Sequence, residues 1–76
     1  MLKAVENLIY AANTGRKSAK QGNHRMERAS DGRIWYYYHS TAICTVKDGV
    51  AKYDNGGWNT SSTNRAINSY RAYYGE

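Results

Sequence analysis

The residue types that could support catalysis lie closest together in the segment HSTAIC, from His39 to Cys44. A nucleophile and its general base must lie within hydrogen-bond reach of each other. Adjacent residues of a β-strand point to opposite faces, so the side chains of His39 and Ser40 would point apart. We therefore predict that the protein is not an enzyme and has no catalytic residues. His39 is interpreted as a structural hydrogen-bonding residue, and Cys44 as a small buried strand residue.

No cofactor or metal site is expected from the remaining chemistry-bearing residues. One cysteine and two histidines are too few for a structural zinc site. A single cysteine also fits a reducing cytoplasm, where disulfides are rare. Gly56-Gly57 precedes a Ser/Thr-rich segment that could bind an anion at a helix start, but the lysine and the spacing of a P-loop are missing. We interpret the segment as a glycine turn and a capped helix, with Trp58 anchoring that helix to the sheet.

Size and charge favour a binding protein. Seventy-six residues predict a single domain, 1–76, with a thin core. The formal net charge of +5 suits nucleic acid or an acidic protein surface. No apolar run is long enough for a membrane span, and the N-terminus does not resemble a signal peptide. The candidate residues for electrostatic contact with a partner are Arg16, Lys17, Lys20, Arg25, Arg28 and Arg33.

The hydrophobic pattern predicts an α+β fold. It consists of a small antiparallel sheet of three to four strands, in a meander, with an N-terminal and a C-terminal helix. Apolar residues at helical spacing between Leu2 and Ala12 predict the first helix. Asp31-Gly32 and Asp48-Gly49 are hairpin signals. The predicted segments are a helix over 2–13, a basic loop over 14–23, a sheet over 24–58 with an edge strand over 24–29, and a helix over 61–74.

Two aromatic stripes alternate along the strand RIWYYYH. Ile34, Tyr36 and Tyr38 share one face, and a second stripe with Trp35 and Tyr37 shares the other. Either face could meet the core. If the second face is exposed, it forms a basic-aromatic stripe that could stack bases or anchor a protein partner. That stripe consists of Arg33, Trp35, Tyr37 and His39, and Tyr73 on the second helix is a further aromatic anchor candidate.

Three segments carry a resemblance to a known family. They are YHSTAI at Tyr38–Ile43, GGWNTSST at Gly56–Thr63, and Ile67-Asn68. The pattern resembles a family of short phage-borne domains of unknown function, and the match covers roughly residues 33–70. Family members often carry Lys and Arg where this chain has Asn64 and Ala66, so no role is transferred to those positions. The resemblance implies a phage or prophage origin, and small phage proteins without an enzyme signature often bind host proteins.

Two hypotheses about function follow. The first is a non-enzymatic phage protein that binds and inhibits a host defence complex in the bacterial cytoplasm, most specifically a CRISPR–Cas effector. The second is a sequence-independent nucleic-acid-binding accessory protein of a phage. The expected partners are a host protein or ribonucleoprotein complex, with nucleic acid as a further possibility and no membrane. The chain itself is expected to be a monomer or a weak homodimer.

Overall fold

The computed structural model describes residues 1–75, which form two helices and a five-stranded antiparallel sheet. The strands lie in the sheet in chain order, so the sheet is a meander. The predicted α+β class is confirmed, but the predicted number of three to four strands is wrong. In chain order the elements are α1 (Lys3–Asn13), β1 (Ser18–Gln21), β2 (His24–Arg28), β3 (Ile34–Tyr38), β4 (Thr41–Lys47), β5 (Val50–Tyr53) and α2 (Ser61–Tyr74).

The additional strand is β1, which lies inside the segment predicted to be a basic loop. It pairs with β2 in a register that sets Ala19 opposite Met26 and Lys20 opposite Arg25. The sequence SAKQ lacks the branched and aromatic residues typical of strands. Its conformation therefore depends on backbone pairing with β2, and β2 becomes an interior strand rather than the edge strand that the sequence indicated.

Both helices begin and end close to the predicted residues. Helix α2 begins after Thr60, whose hydroxyl accepts a hydrogen bond from the Thr63 backbone N–H at 3.2 Å. This is the N-cap that a Ser/Thr-rich segment provides. Helix α2 is followed by Gly75, whose φ of 82° is a conformation that favours glycine. No helix within residues 1–75 combines the length and the hydropathy that a membrane crossing requires.

The core lies between the two helices and one face of the sheet. Tyr36 on β3 is fully buried, and its ring centroid lies 4.4 Å from that of Tyr70 on α2. Its hydroxyl is hydrogen-bonded to the hydroxyl of Tyr74. Cys44 is also buried, and burial raises the pKa of its thiol to about 12. The thiol therefore stays protonated at neutral pH and packs in the core, as the sequence predicted.

Trp58 does not anchor α2 to the sheet, contrary to the sequence-based interpretation. Its side chain is 61% exposed. The helix is held instead by residues of its own buried face, which include Thr63, Ile67 and Tyr70. The glycine turn before Trp58 directs the indole outwards while the cap at Thr60 starts the helix.

His24 lies on the helix-facing side of β2, where it is partly buried. Its ring centroid is 4.9 Å from that of Tyr38, and its buried Nδ1 atom has no hydrogen-bond partner among residues 1–75. Burial, and then the neighbouring His39, lower the pKa of His24 below its ordinary value of 6.5. The folded protein therefore disfavours the imidazolium form at this position.

This depressed pKa predicts acid sensitivity. Between the unfolded pKa near 6.5 and the lower folded pKa, the unfolded chain binds more protons, so stability falls as the pH decreases through that window. We expect Tm to fall from about pH 7.5 to 5, and His24→Gln to flatten this dependence. His39→Asn, which keeps a residue suited to φ 56°, should retain most of it. An equal loss of Tm in His24→Gln would contradict the assignment.

Candidate functional site

The face of the sheet opposite the helices carries no covering element among residues 1–75, and we call it the open face. Strand alternation and pairing register decide which side chains point there. The sequence left this choice undetermined, and the structure assigns Trp35 and Tyr37 to the open face. Its strand positions are Ser18, Lys20, Arg25, Glu27, Trp35, Tyr37, Ala42, Thr45, Lys47, Val50 and Lys52.

The open-face side chains form rows across the sheet. One row runs from Lys20 through Arg25 and Tyr37 to Ala42. The next row is Ser18, Glu27, Trp35, Thr45 and Lys52. The two rings on β3 are thus two residues apart, or about 7 Å along the strand. Each ring therefore has its own area of the surface, with cations on the strands around it.

Arginine side chains lie beside both rings. The guanidinium carbon of Arg25 is 4.2 Å from the centroid of the Tyr37 ring. That of Arg33 is 5.9 Å from the Trp35 ring. Arg25 also lies 3.4 Å from the carboxylate of Glu27. Cation–π contact covers part of each apolar ring while the cations remain near solvent.

The charge of the open face is predominantly positive. Glu27 is the single carboxylate among its strand positions, against four cations. Lys47 is held by Asp31, whose carboxylate lies 3.3 Å away. A hydrogen bond from the Arg33 backbone N–H and the Lys47 ammonium lower the pKa of Asp31. Within residues 1–75, neither Lys20 nor Lys52 lies at salt-bridge distance from a carboxylate.

A depression of about 410 Å³ opens beside Trp35. It lies over a bulge in β4. Tyr36 pairs with Cys44 and Tyr37 pairs with Ala42, so Ile43 is an extra residue in β4 without a partner in β3. Bulges of this kind locally bend the strand. The depression is lined by Trp35, Ala42, Ile43, Cys44, Thr45, Lys52, Tyr53 and Asp54.

Five of the nine predicted partner-contact residues come together on or beside the open face. They are Lys20, Arg25, Arg33, Trp35 and Tyr37. Arg16 and Lys17 are exposed in the connection between α1 and β1, next to the sheet edge. Tyr73 lies on α2, in the layer on the opposite side of the sheet.

Arg28 has a different position from the one its sequence context suggested. It lies on the helix-facing side of β2, where its guanidinium donates to the backbone carbonyls of Ala12, at 2.5 Å, and Arg16, at 3.2 Å. These carbonyls belong to the end of α1 and the residues just after it. At Ala12 the guanidinium adds a second donor to a carbonyl that already accepts the Gly15 backbone N–H at 3.2 Å, and its charge complements the helix dipole. Arg28 therefore holds α1 to the sheet and does not belong to the basic surface.

His39 also leaves the predicted stripe. Its φ is 56°, which places it in the turn between β3 and β4 rather than on the open face. Its backbone N–H donates to the carbonyl of Asn23 at 2.7 Å, so it joins two neighbouring turns. The turn ends the alternation of β3 before it reaches His39, so the open-face stripe that includes Trp35 and Tyr37 does not continue to His39.

Lys47, Lys52 and the depression beside Trp35 belong to this surface but were not among the residues and features predicted from the sequence. The hairpin at Asp48-Gly49 contained a usable signal, since a two-residue turn sets Lys47 opposite Val50 and Thr45 opposite Lys52. The depression had no such signal. It depends on the bulge at Ile43, and a run of strand-forming residues does not show where an extra residue is inserted.

A second cavity, of about 420 Å³, lies where the start of α2 meets the turn between β3 and β4. Its lining contains many of the residues on which the resemblance to phage-borne domains rests: Tyr38, His39, Ser40, Thr41, Ile43, Trp58, Thr60, Ser62 and Thr63. None of these side chains is an acid, a lysine or an arginine. Gly56 has a φ of +62°, and a Cβ there would clash with Cγ2 of Thr41. These residues therefore form the junction that positions the start of α2 against the turn between β3 and β4.

Comparisons with protein-family models, curated proteins and solved structures find no match. The resemblance to phage-borne domains stays a prediction from the sequence pattern. Within residues 1–75, no three His, Cys, Asp or Glu side chains cluster in a way that could hold a metal ion.

The junction at Gly56 gives a stability prediction with an internal control. Gly56 and Gly57 both have positive φ, but a Cβ at Gly57 would meet nothing within 4 Å. Gly57→Ala should cost about 1–2 kcal/mol from backbone strain alone. Gly56→Ala should cost about 2–5 kcal/mol, because the clash with Thr41 adds an overpacking term. Urea unfolding of both variants measures this difference, and equal losses would show that Gly56 and Thr41 are not in close contact.

Proposed function

We propose that this protein binds nucleic acid without sequence preference, through the open face of its sheet. The observation that carries the proposal is the arrangement of Lys20, Arg25, Arg33 and Lys52 around two half-buried rings on an uncovered sheet. Lysine and arginine contacts to phosphate supply the sequence-independent part of nucleic-acid affinity. Aromatic rings supply stacking, which accepts any base. The open face therefore offers phosphate contacts and base stacking on the same surface.

The aromatic rings favour nucleic acid over an acidic protein as the partner of this face. The carboxylates of an acidic protein surface would pair with the cations, whereas Trp35 and Tyr37 would need separate apolar or aromatic groups on that protein. A nucleic-acid strand presents phosphates and flat bases in regular alternation, and the open face presents cations and flat rings a few ångströms apart. The rows of Trp35 and Tyr37 therefore fit both components of the strand.

Two double variants test the proposal at equal net charge. Lys20→Gln with Lys52→Gln removes two exposed cations of the open face. Lys3→Gln with Arg65→Gln removes two exposed cations of the helical layer. Only the first should weaken binding, by roughly tenfold at low salt, because two phosphate contacts are lost. Its plot of log affinity against log salt should also be shallower, by about 1.4 for a single-stranded probe and about 1.8 for a duplex.

Fluorescence anisotropy with a labelled oligonucleotide, from about 50 to 200 mM salt, measures both quantities. Equal weakening by the two double variants would contradict the proposal, because binding would then follow net charge rather than the open face. No binding to single- or double-stranded probes at the lowest salt would reject nucleic acid as the partner.

A second candidate function is inhibition of a host defence complex, most specifically a CRISPR–Cas effector, by a phage protein in the host cytoplasm. The observation that favours it is a separate exposed apolar patch on the helical layer. Met1, Tyr10 and Tyr73 are 59%, 71% and 51% exposed, and together they border a cavity of about 210 Å³. Tyrosine is enriched in protein interfaces and among their hot spots. Such a protein could dock through this patch and compete for a guide or target strand through the open face.

Affinity purification from a plausible host, with and without nuclease, tests this candidate. A stoichiometric partner that survives nuclease and is lost from the Tyr10→Ala/Tyr73→Ala variant is expected, because the two exposed rings would be the anchors of the interface. The Lys20→Gln/Lys52→Gln variant should keep that partner. A set of partners that disappears with nuclease would contradict direct docking and would agree with nucleic-acid binding alone.

A further inference from the structure

We infer that the open face binds single-stranded rather than duplex nucleic acid, and that one unpaired base stacks on Trp35 in the adjacent depression. This inference rests on the proposed function and names the class of nucleic acid that the surface takes. Three observations support it: the width of the sheet, the different extent to which arginine side chains cover the rings of Tyr37 and Trp35, and the chemistry of the depression.

The sheet is too wide to enter a groove of a nucleic-acid duplex. Five strands at a spacing of about 4.8 Å form a face roughly 19 Å across. The major groove of B-form DNA is about 12 Å wide and admits an α-helix or a two-stranded ribbon. The rings of β3 lie at the centre of this face, two strands from either edge. They cannot reach bases that are paired inside a duplex, whereas the splayed bases of a single strand can lie flat against the sheet.

The two rings differ in how much of their surface is available. Tyr37 has the Arg25 guanidinium at 4.2 Å from its ring centroid, a distance of direct stacking. The Arg33 guanidinium is farther from the Trp35 ring, at 5.9 Å, and Trp35 also borders the depression. A base can therefore contact the part of the Trp35 ring that borders the depression while Arg33 stays in place. Indole is also the largest aromatic platform in the chain, so Trp35 is the primary stacking residue.

The depression beside Trp35 has the size and polarity for a base. Its volume of about 410 Å³ lies within the range of small-molecule sites. Thr45 supplies a hydroxyl that can donate or accept. Lys52 supplies a cation at the rim, and Asp54 supplies a carboxylate whose Oδ1 accepts the Gly56 N–H at 2.9 Å. Phosphates are therefore placed towards Lys52 and Arg33, and away from Asp54.

Two tryptophans on different surfaces give a matched pair for the test. Trp35 lies on the open face, and Trp58 lies beside the cavity at the start of α2. The probes are a labelled oligothymidylate and a hairpin duplex of the same number of nucleotides. Wild-type protein should bind the single strand at least tenfold more tightly. Trp35→Ala should weaken single-strand binding by roughly ten- to hundredfold, while Trp58→Ala binds like wild type.

Intrinsic fluorescence provides a second readout that needs no destabilising truncation. In Trp58→Phe the remaining tryptophan is Trp35, and its emission should be quenched on adding oligothymidylate. In Trp35→Phe the remaining tryptophan is Trp58, and its emission should not change. Circular dichroism confirms that each variant is folded, so a loss of binding by Trp35→Ala can be separated from a loss of structure.

The outcomes separate this inference from the proposed function. Equal affinity for single strand and duplex, or unchanged single-strand affinity in Trp35→Ala, would overturn the stacking site and leave charge-based binding intact. Quenching of Trp58 but not Trp35 would place the contact on the other side of the molecule and overturn the inference. Absence of binding to either probe at low salt would overturn both.

Discussion

This chain has enough apolar side chains for one packed layer, between two helices and one face of the sheet. Tyr36 lies at the centre of that layer. It is fully buried on the middle strand, contacts the ring of Tyr70, and bonds through its hydroxyl to Tyr74. Small chains bury a smaller fraction of their surface than large ones, so a second layer on the other side of the sheet is difficult to build. The position of both helices on one side follows from this constraint.

The uncovered face must then be compatible with water, and its side chains show how this is achieved. Arg25 lies over Tyr37, and Arg33 lies near Trp35, so guanidinium groups cover part of the ring surface while their charges stay solvated. Guanidinium groups and aromatic rings are also the groups that contact phosphates and bases. The arrangement that makes an uncovered sheet face compatible with water therefore also presents the groups that the proposed nucleic-acid contacts require.

The sequence predicted those features of the fold that depend on local chemistry. The Ser/Thr segment before residue 61 predicted the start of α2, and the period of two along Ile34–Tyr38 predicted two distinct aromatic faces. Strand β1 could not be predicted because SAKQ has weak strand preference and depends on pairing with β2. The choice of open face, the departure of His39 and the role of Arg28 in holding α1 also depend on tertiary packing. Neighbouring residues in the chain carry little information about such contacts.

The most direct test of the account is to map the binding surface by NMR in solution. Titration of ¹⁵N-labelled protein with a short single-stranded oligonucleotide would follow backbone amides together with the indole N–H groups of the two tryptophans. We expect shifts concentrated on the central strands and at the Nε1–H of Trp35, with the Trp58 indole and the outer face of α2 unchanged. Shifts centred on Trp58 or on the helices would contradict the claim that the open face is the functional surface.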